Sequence, residues 1–287
     1  MKASEKEITS KWLALYRLLH RKSVKSFISP NPALQSISIS TYTRMMKEPQ
    51  SVSEAAYQKL LNIYGLRFET NYAFTLLAKE IVLLHENVLY FRQEKCCEII
   101  EAMLRKLEKH TSYIDCVIIN YFLLQFKRYM TCIKYLGKDD ILAFMEHCEL
   151  FGSELSDIVC FYCVYSSTKV SYAFEKELYE MYSSLHNRQY LPIQVHRMAM
   201  FEHQRDFETV IVIGKRVLQS AMQINNHVML YEYYDCMLGY YVQFEKEKVE
   251  NTMKIMYDLA NQVDFPVIKK KQFYENYARY SMKQGDY

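Results

Sequence analysis

The chain has 287 residues, half of them apolar, with 26 Tyr, 15 Phe and 15 Met but only 6 Gly and 5 Pro. That is enough apolar chain for one large core or two, and too little turn chemistry for an all-β fold. The formal charge is only +3. No apolar run reaches the roughly 18 uncharged residues that span a bilayer, and the start MKASEKEITSKW lacks the apolar core of a signal peptide. An all-α, cytoplasmic protein with no membrane partner is expected.

The small net charge hides an asymmetry. Residues 1–48 carry nine Lys or Arg against Glu5, Glu7 and Glu48, a net +6, which leaves −3 for the rest. A basic head on a mildly acidic body is the electrostatic footprint of a DNA-contacting module; a basic solvated helix face is the plainer alternative.

Residues 5–22 predict the first helix, with Trp12, Leu15, Tyr16 and Leu19 on one face. The segment SVKSFI predicts a brief turn of helix, and Pro30 and Pro32 interrupt the chain after it. Ser38 is a good N-cap for ISTYTRMM, which Pro49 stops. Ser51 or Ser53 then caps EAAYQKLLNIY, ended by Gly65. From residue 70 helical periodicity persists, with helices expected near 71–91, 93–109, 112–135, 139–151, 154–167, 171–186, 191–204, 207–224, 228–244, 246–262 and 266–283. Breakers such as Gly137-Lys-Asp-Asp, Gly152-Ser, His186-Asn-Arg, Asn225-Asn and Asp264-Phe-Pro lie between them. Short connections imply antiparallel hairpins stacked side by side.

The last third carries a weak internal repeat, in which Phe207, Val249 and Tyr287 take equivalent places after a turn. Its pattern is that of tetratricopeptide repeats, whose period is roughly 34 residues. Such units stack into a solenoid with a concave groove. The sequence stops on KQGDY, where a second helix of a repeat would begin; either the last helix caps against a partner subunit or the chain is cut there.

Residues 36–68 read as a short helix, a polar turn and a second helix, the second half of a helix-turn-helix. A recognition helix sets its N-terminal side chains on base edges while neighbours hold phosphates. Here the helix 39–46 would turn Ser40, Thr41 and Arg44 outward, beside Ser38, with Ile39, Tyr42 and Met45 inward. Arg44 suits a bidentate contact to guanine, and Lys47, Lys22 and Lys25 suit phosphates. The stretch Ser38-Ile-Ser40-Thr41-Tyr42-Thr43-Arg44-Met45-Met46-Lys47-Glu48 resembles the S-x-S-Y-I-S-K-I-E-x-G of Rgg-type peptide-pheromone regulators. It departs from that pattern at Met46, at Glu48-Pro49, and in the prolines that precede it.

The resemblance implies a helix-turn-helix head over 1–68 and a tetratricopeptide-like domain over 69–287 for ligand binding and dimerisation. It implies a homodimer on double-stranded DNA, with half-sites roughly 34 Å apart, and a groove that takes a short signalling peptide or other small ligand. Groove candidates by residue type are Asn120, Tyr121, Arg128, Arg197, Tyr231, Tyr234, Asn276 and Tyr280. Asparagines clamp an extended backbone with both donor and acceptor, although a Tyr stripe at helical spacing equally reads as core. The rival reading is a non-DNA-binding helical-repeat adaptor with a degenerate head.

No enzyme, cofactor or metal is expected. Gly-rich phosphate loops, HExxH and G-x-S-x-G are missing from the sequence, and Asp139-Asp140 reads as a helix N-terminus. The one CxxC, Cys160 and Cys163, sits in the apolar IVCFYCVY with no second close-spaced pair after it.

Overall fold

The computed structural model describes residues 1–31, 37–132, 134–184, 190–262 and 264–284. Among them every regular element is helical, and the only bridge is an isolated one between Arg67 and Tyr113. The head comprises α1 (Ala3–Leu19), α2 (Val24–Ile28), α3 (Ile39–Lys47), a 3-10 turn at Pro49–Ser51 and α4 (Glu54–Ile63). There follow α5 (Tyr72–Leu89), α6 (Gln93–Leu107), α7 (Ile114–Cys132), α8 (Lys138–Glu146), a 3-10 turn at Cys148–Phe151, α9 (Gly152–Ser167) and α10 (Tyr172–Ser184). The last are α11 (Leu191–His203), α12 (Phe207–Gln223), α13 (His227–Phe244), a 3-10 turn at Lys246–Lys248, α14 (Val249–Ala260) and α15 (Val267–Gln284).

The head's boundaries arise from local chemistry. Ser38 accepts from the Thr41 amide and caps α3. Pro49 opens the next turn after α3 ends at Lys47. Gly65 adopts φ +64°, and Leu66 N–H donates to Leu61 O at 2.9 Å, which closes α4 as a left-handed glycine stop does. Ser53 holds the N-cap place of α4 without a side-chain capping bond, while the Ser51 hydroxyl turns back to Glu48 O. The predicted helix 139–151 breaks at His147 into α8 and a 3-10 turn in which Cys148, Leu150 and Phe151 are buried. Pro32 and the His186-Asn-Arg breaker lie outside the described residues.

The chain packs as two compact units, Met1–Glu86 with Gln93–His186, and Asn87–Arg92 with Asn187–Tyr287. In the first, α1 packs against α3 and α4 and also against α7, α8 and the turn before α9. Residues 1–68 therefore share a unit with α6–α10. Two-sided packing explains why Leu13 is as buried as Leu15, although helical spacing puts only Trp12, Leu15, Tyr16 and Leu19 on the inward face. Trp12 meets Phe151 edge-on at 5.6 Å, and Phe122 gathers Phe126, Phe144, Phe151 and Tyr162 within 6.2 Å. Burying each such ring contributes roughly 1.5–3 kcal/mol, so this aromatic cluster anchors the unit.

In the second unit each of α11 to α15 packs on the next, and α11 also packs on α13. Phe207 and Val249 open α12 and α14, the equivalent places the repeat assigns them; Tyr287 lies outside the described residues. Asn226 caps α13 and donates its Nδ2 to Leu89 O at 3.0 Å. Gly214 lets α12 approach its neighbours closely: a Cβ there would sit 3.1 Å from both Met198 and Tyr233.

Candidate nucleic-acid interface

The first two helices hold α3 by one side. Its Tyr42 and Met45 are buried, and the Tyr42 ring packs edge-on against Phe27 of α2 at 5.8 Å. From α1, Arg17 Nε donates to the Tyr42 hydroxyl at 3.1 Å, and its Nη1 donates to Lys22 O at 3.0 Å. Burial raises the Tyr42 pKa, and the Arg17 guanidinium opposes that shift. Phe27 also stacks on Tyr64 at 5.0 Å, whose hydroxyl donates to Phe27 O. Rotation of α3 would break these contacts together.

The opposite side of α3 faces solvent and carries Ile39, Ser40, Thr43, Arg44 and Lys47. At 100° per residue these five fall on one continuous arc. Ile39, expected inward from the sequence, is instead 54% exposed. The reason is geometric: Tyr42 and Met45 already fill the inward side, and the first residue of the helix precedes the turn that packs. Thr41 is half-buried at the edge of the arc.

The hydroxyls are committed locally. Ser38 Oγ lies 2.8 Å from Ser40 Oγ and 2.9 Å from Thr41 Oγ1, and Thr43 donates to Ile39 O at 3.0 Å. Ser38, Ser40 and Thr41 thus build the helix end. Arg44, Lys47 and the exposed Lys25 have no side-chain partner among the described residues. Lys22 is more constrained, with its ammonium 4.2 Å over the Tyr64 ring. Arg21 is neutralised by Asp140 at 2.9 Å and Asp139 at 3.7 Å. The arc therefore offers two free cations and one exposed aliphatic side chain, with no acid among its five residues.

The groove candidates separate by environment. On α7, Tyr121 is half-buried, stacks on Phe144 at 6.3 Å, and burial with the nearby Asp140 carboxylate raises its pKa. It therefore belongs to a network with Arg21 rather than standing free. Asn120 is half-buried, and Arg128 is exposed on the same helix. In the second unit Tyr231 is 0% exposed and packs edge-on against Phe265 and Phe273, so it is core and lines no groove. Tyr234 is half-buried against Tyr233 at 5.0 Å. Arg197 lies over Phe201 at 5.7 Å, and its buried Nε has no hydrogen-bond partner among the described residues. The side chains of Asn276 and Tyr280, on α15, lie outside the described residues.

Sequence reasoning missed a half-buried ionic group in the second unit. Lys269 Nζ sits 2.6 Å from Glu232 Oε1; burial works against its charge, and Glu232, Asp235 and Cys236 together outweigh it to raise the pKa. Burial and Glu232 push Asp235 up to about 6, and burial drops His196 to about 3. Nothing in the spacing of these residues marks them, because the partners come from α11, α13 and α15. In the first unit a concavity of about 550 Å³ is lined by Ile8, Trp12, Phe74, Asp115, Gly152 and Glu154, among others. Its three carboxylates have other employment: Asp115 accepts from the Ala73 amide, Glu154 stands in the first turn of α9, and Glu149 pairs with Lys11 at 3.4 Å. All eight cysteines are free thiols. No group among the described residues is arranged to hold a metal ion, and no helix among them is long and apolar enough to cross a membrane.

Comparisons of the chain with protein-family models, curated proteins and solved structures found no match.

Proposed function

We propose that the chain is a DNA-binding transcriptional regulator, with α1–α4 as a divergent helix-turn-helix and α3 as the helix that enters the major groove. One observation carries this reading: α3 is fixed by Tyr42 and Met45 on one side and presents Arg44 and Lys47, free of partners among the described residues, on the other. Cations on the surface of a packed helix, left unpaired where residues 1–48 carry a net +6, match a polyanion. Arg44 reads guanine in a bidentate contact, and Lys47 and Lys25 hold phosphates.

The helices beyond the head form a tetratricopeptide-like array that binds a small ligand, most simply a short peptide, and pairs two chains on a two-fold site. Arg197, half-buried over Phe201, is the groove candidate of the second unit that brings a positive charge to such a ligand. Ligand binding switches the dimer only through unequal affinity for two arrangements.

The test is fluorescence anisotropy of the full chain on duplexes selected from a random library, between about 50 and 200 mM salt. Affinity should fall steeply with salt, by about 0.9 in log terms per phosphate contact. Lys47→Ala should lower that slope by about one contact, and Arg44→Ala should weaken selected sites about 5- to 150-fold while barely touching random DNA. Both side chains are exposed, so neither change should move stability by more than about 0.5 kcal/mol. An Arg44→Ala, Lys47→Ala chain that binds as the parent does would refute α3 as the reading helix. No salt-sensitive binding by the parent would leave the helical adaptor as the function.

A further inference from the structure

We propose that Ile39 reads a thymine 5-methyl group in the DNA site, beside the base that Arg44 contacts. This rests on α3 being the helix that enters the major groove, and it adds the apolar half of the recognition.

Ile39 is 54% exposed at the first position of α3, on the arc that carries Arg44 and Lys47. The inward side is already served by Tyr42 and Met45, and Ile39 lies outside the buried core of the head. Its neighbours on the arc are hydroxyls engaged with one another or with the helix backbone. What remains to meet a ligand is one branched aliphatic group and two free cations. A lipid or protein surface would match the aliphatic group, but the unpaired cations on the same arc favour a polyanion that also displays an apolar group. The major groove is such a surface, because the thymine methyl is its apolar feature and guanine offers the bidentate acceptor pair.

Spacing agrees with this pairing. Ile39 and Arg44 are five residues apart, a rise of about 7.5 Å, or about two base-pair steps at 3.4 Å each. The thymine and the guanine should therefore lie within about three steps of each other in each half-site.

The experiment replaces thymines of a selected duplex one at a time by deoxyuridine, which deletes only the methyl, and measures binding of the full chain and of Ile39→Ala and Ile39→Val. One thymine per half-site should cost the parent about fourfold in affinity, the factor a buried methyl contributes. Ile39→Ala should bind the thymine duplex weakly and be indifferent to uracil there, while Ile39→Val should stay sensitive. A parent chain indifferent to uracil at every position would overturn the inference and leave DNA binding standing, as would an Ile39→Ala chain with the parent's sensitivity. If no duplex is selected at all, the inference and the regulator reading both fall.

Discussion

Asp115 joins two helices of the first unit, and its removal has a calculable cost. It is 2% exposed. One carboxylate oxygen accepts from Ala73 N–H at 2.8 Å and the other from Cys116 N–H at 2.8 Å. Both amides belong to first turns, where helices leave N–H groups without partners. Asp115→Ala orphans both, at about 1–3 kcal/mol each for a buried donor. Two effects reduce the total. Burial raises the Asp115 pKa, with the backbone donors opposing it, so removing the charge recovers some desolvation. The adjoining concavity can also admit water to the freed amides. A net loss of about 2–4 kcal/mol is expected, a drop of roughly 1 M in the urea midpoint for a slope of about 2–3 kcal/mol per M. Asp115→Asn keeps one acceptor but sets an NH2 against the other amide, so it should cost about half as much. Urea denaturation by circular dichroism measures both, and hydrogen exchange at the Ala73 amide reports the local bond directly. An Asp115→Ala chain within about 0.5 kcal/mol of the parent, with the Ala73 amide still protected, would show that the carboxylate does not hold these two helix starts.

Changes at two further positions test burial elsewhere. Glu175 of α10 is buried, and burial pushes its pKa up to about 7. Because the folded value lies above the unfolded one, its ionisation opposes folding, so stability should fall as pH rises from about 4.5 to about 7 and level off beyond. Glu175→Gln should remove that part, on the order of 1–3 kcal/mol, seen as a smaller difference between urea midpoints at about pH 5 and pH 8; an unchanged difference would exclude Glu175 as its source. In the second unit, Gly214→Val should cost at least about 2 kcal/mol, because overpacking a tight helix contact costs about 1–3 kcal/mol and grows with the added methyls. Gly214→Ala, with its Cβ 3.1 Å from Met198 and Tyr233, trades a smaller strain against about 1 kcal/mol of helix propensity and should stay within about 1 kcal/mol. Thermal melts that place the Val variant beside the parent would contradict the close approach of α12.

What the sequence showed and what it hid divide along one physical line. Ser38, Pro49 and Gly65 act within a turn of their own position, so capping, φ restriction and left-handed geometry marked the ends of α3 and α4 directly. The long helices were legible for the same reason, since periodicity over several turns averages out exceptions. Side-chain direction at a single position is different, because it depends on what stands opposite. Ile39 looked inward by residue type, yet the inward side of α3 is sized for Tyr42 and Met45 against Phe27 and Arg17, both distant from it in sequence. Tyr231 looked available for a ligand, yet Phe265 and Phe273 close over it from beyond α13. Leu13 lay off the predicted face of α1 and is buried because α1 has partners on two sides. Asp115 stands in the first turn of α7, yet half its work is done on the start of α5, which no local pattern marks. The surface of α3 is therefore the part of the head that its own sequence determines least, since what it shows to solvent is whatever its neighbours leave uncovered. Those neighbours leave one wholly aliphatic side chain and two unpaired cations exposed, and that combination, rather than the Ser and Thr pattern that first marked the segment, is what a DNA site would have to complement.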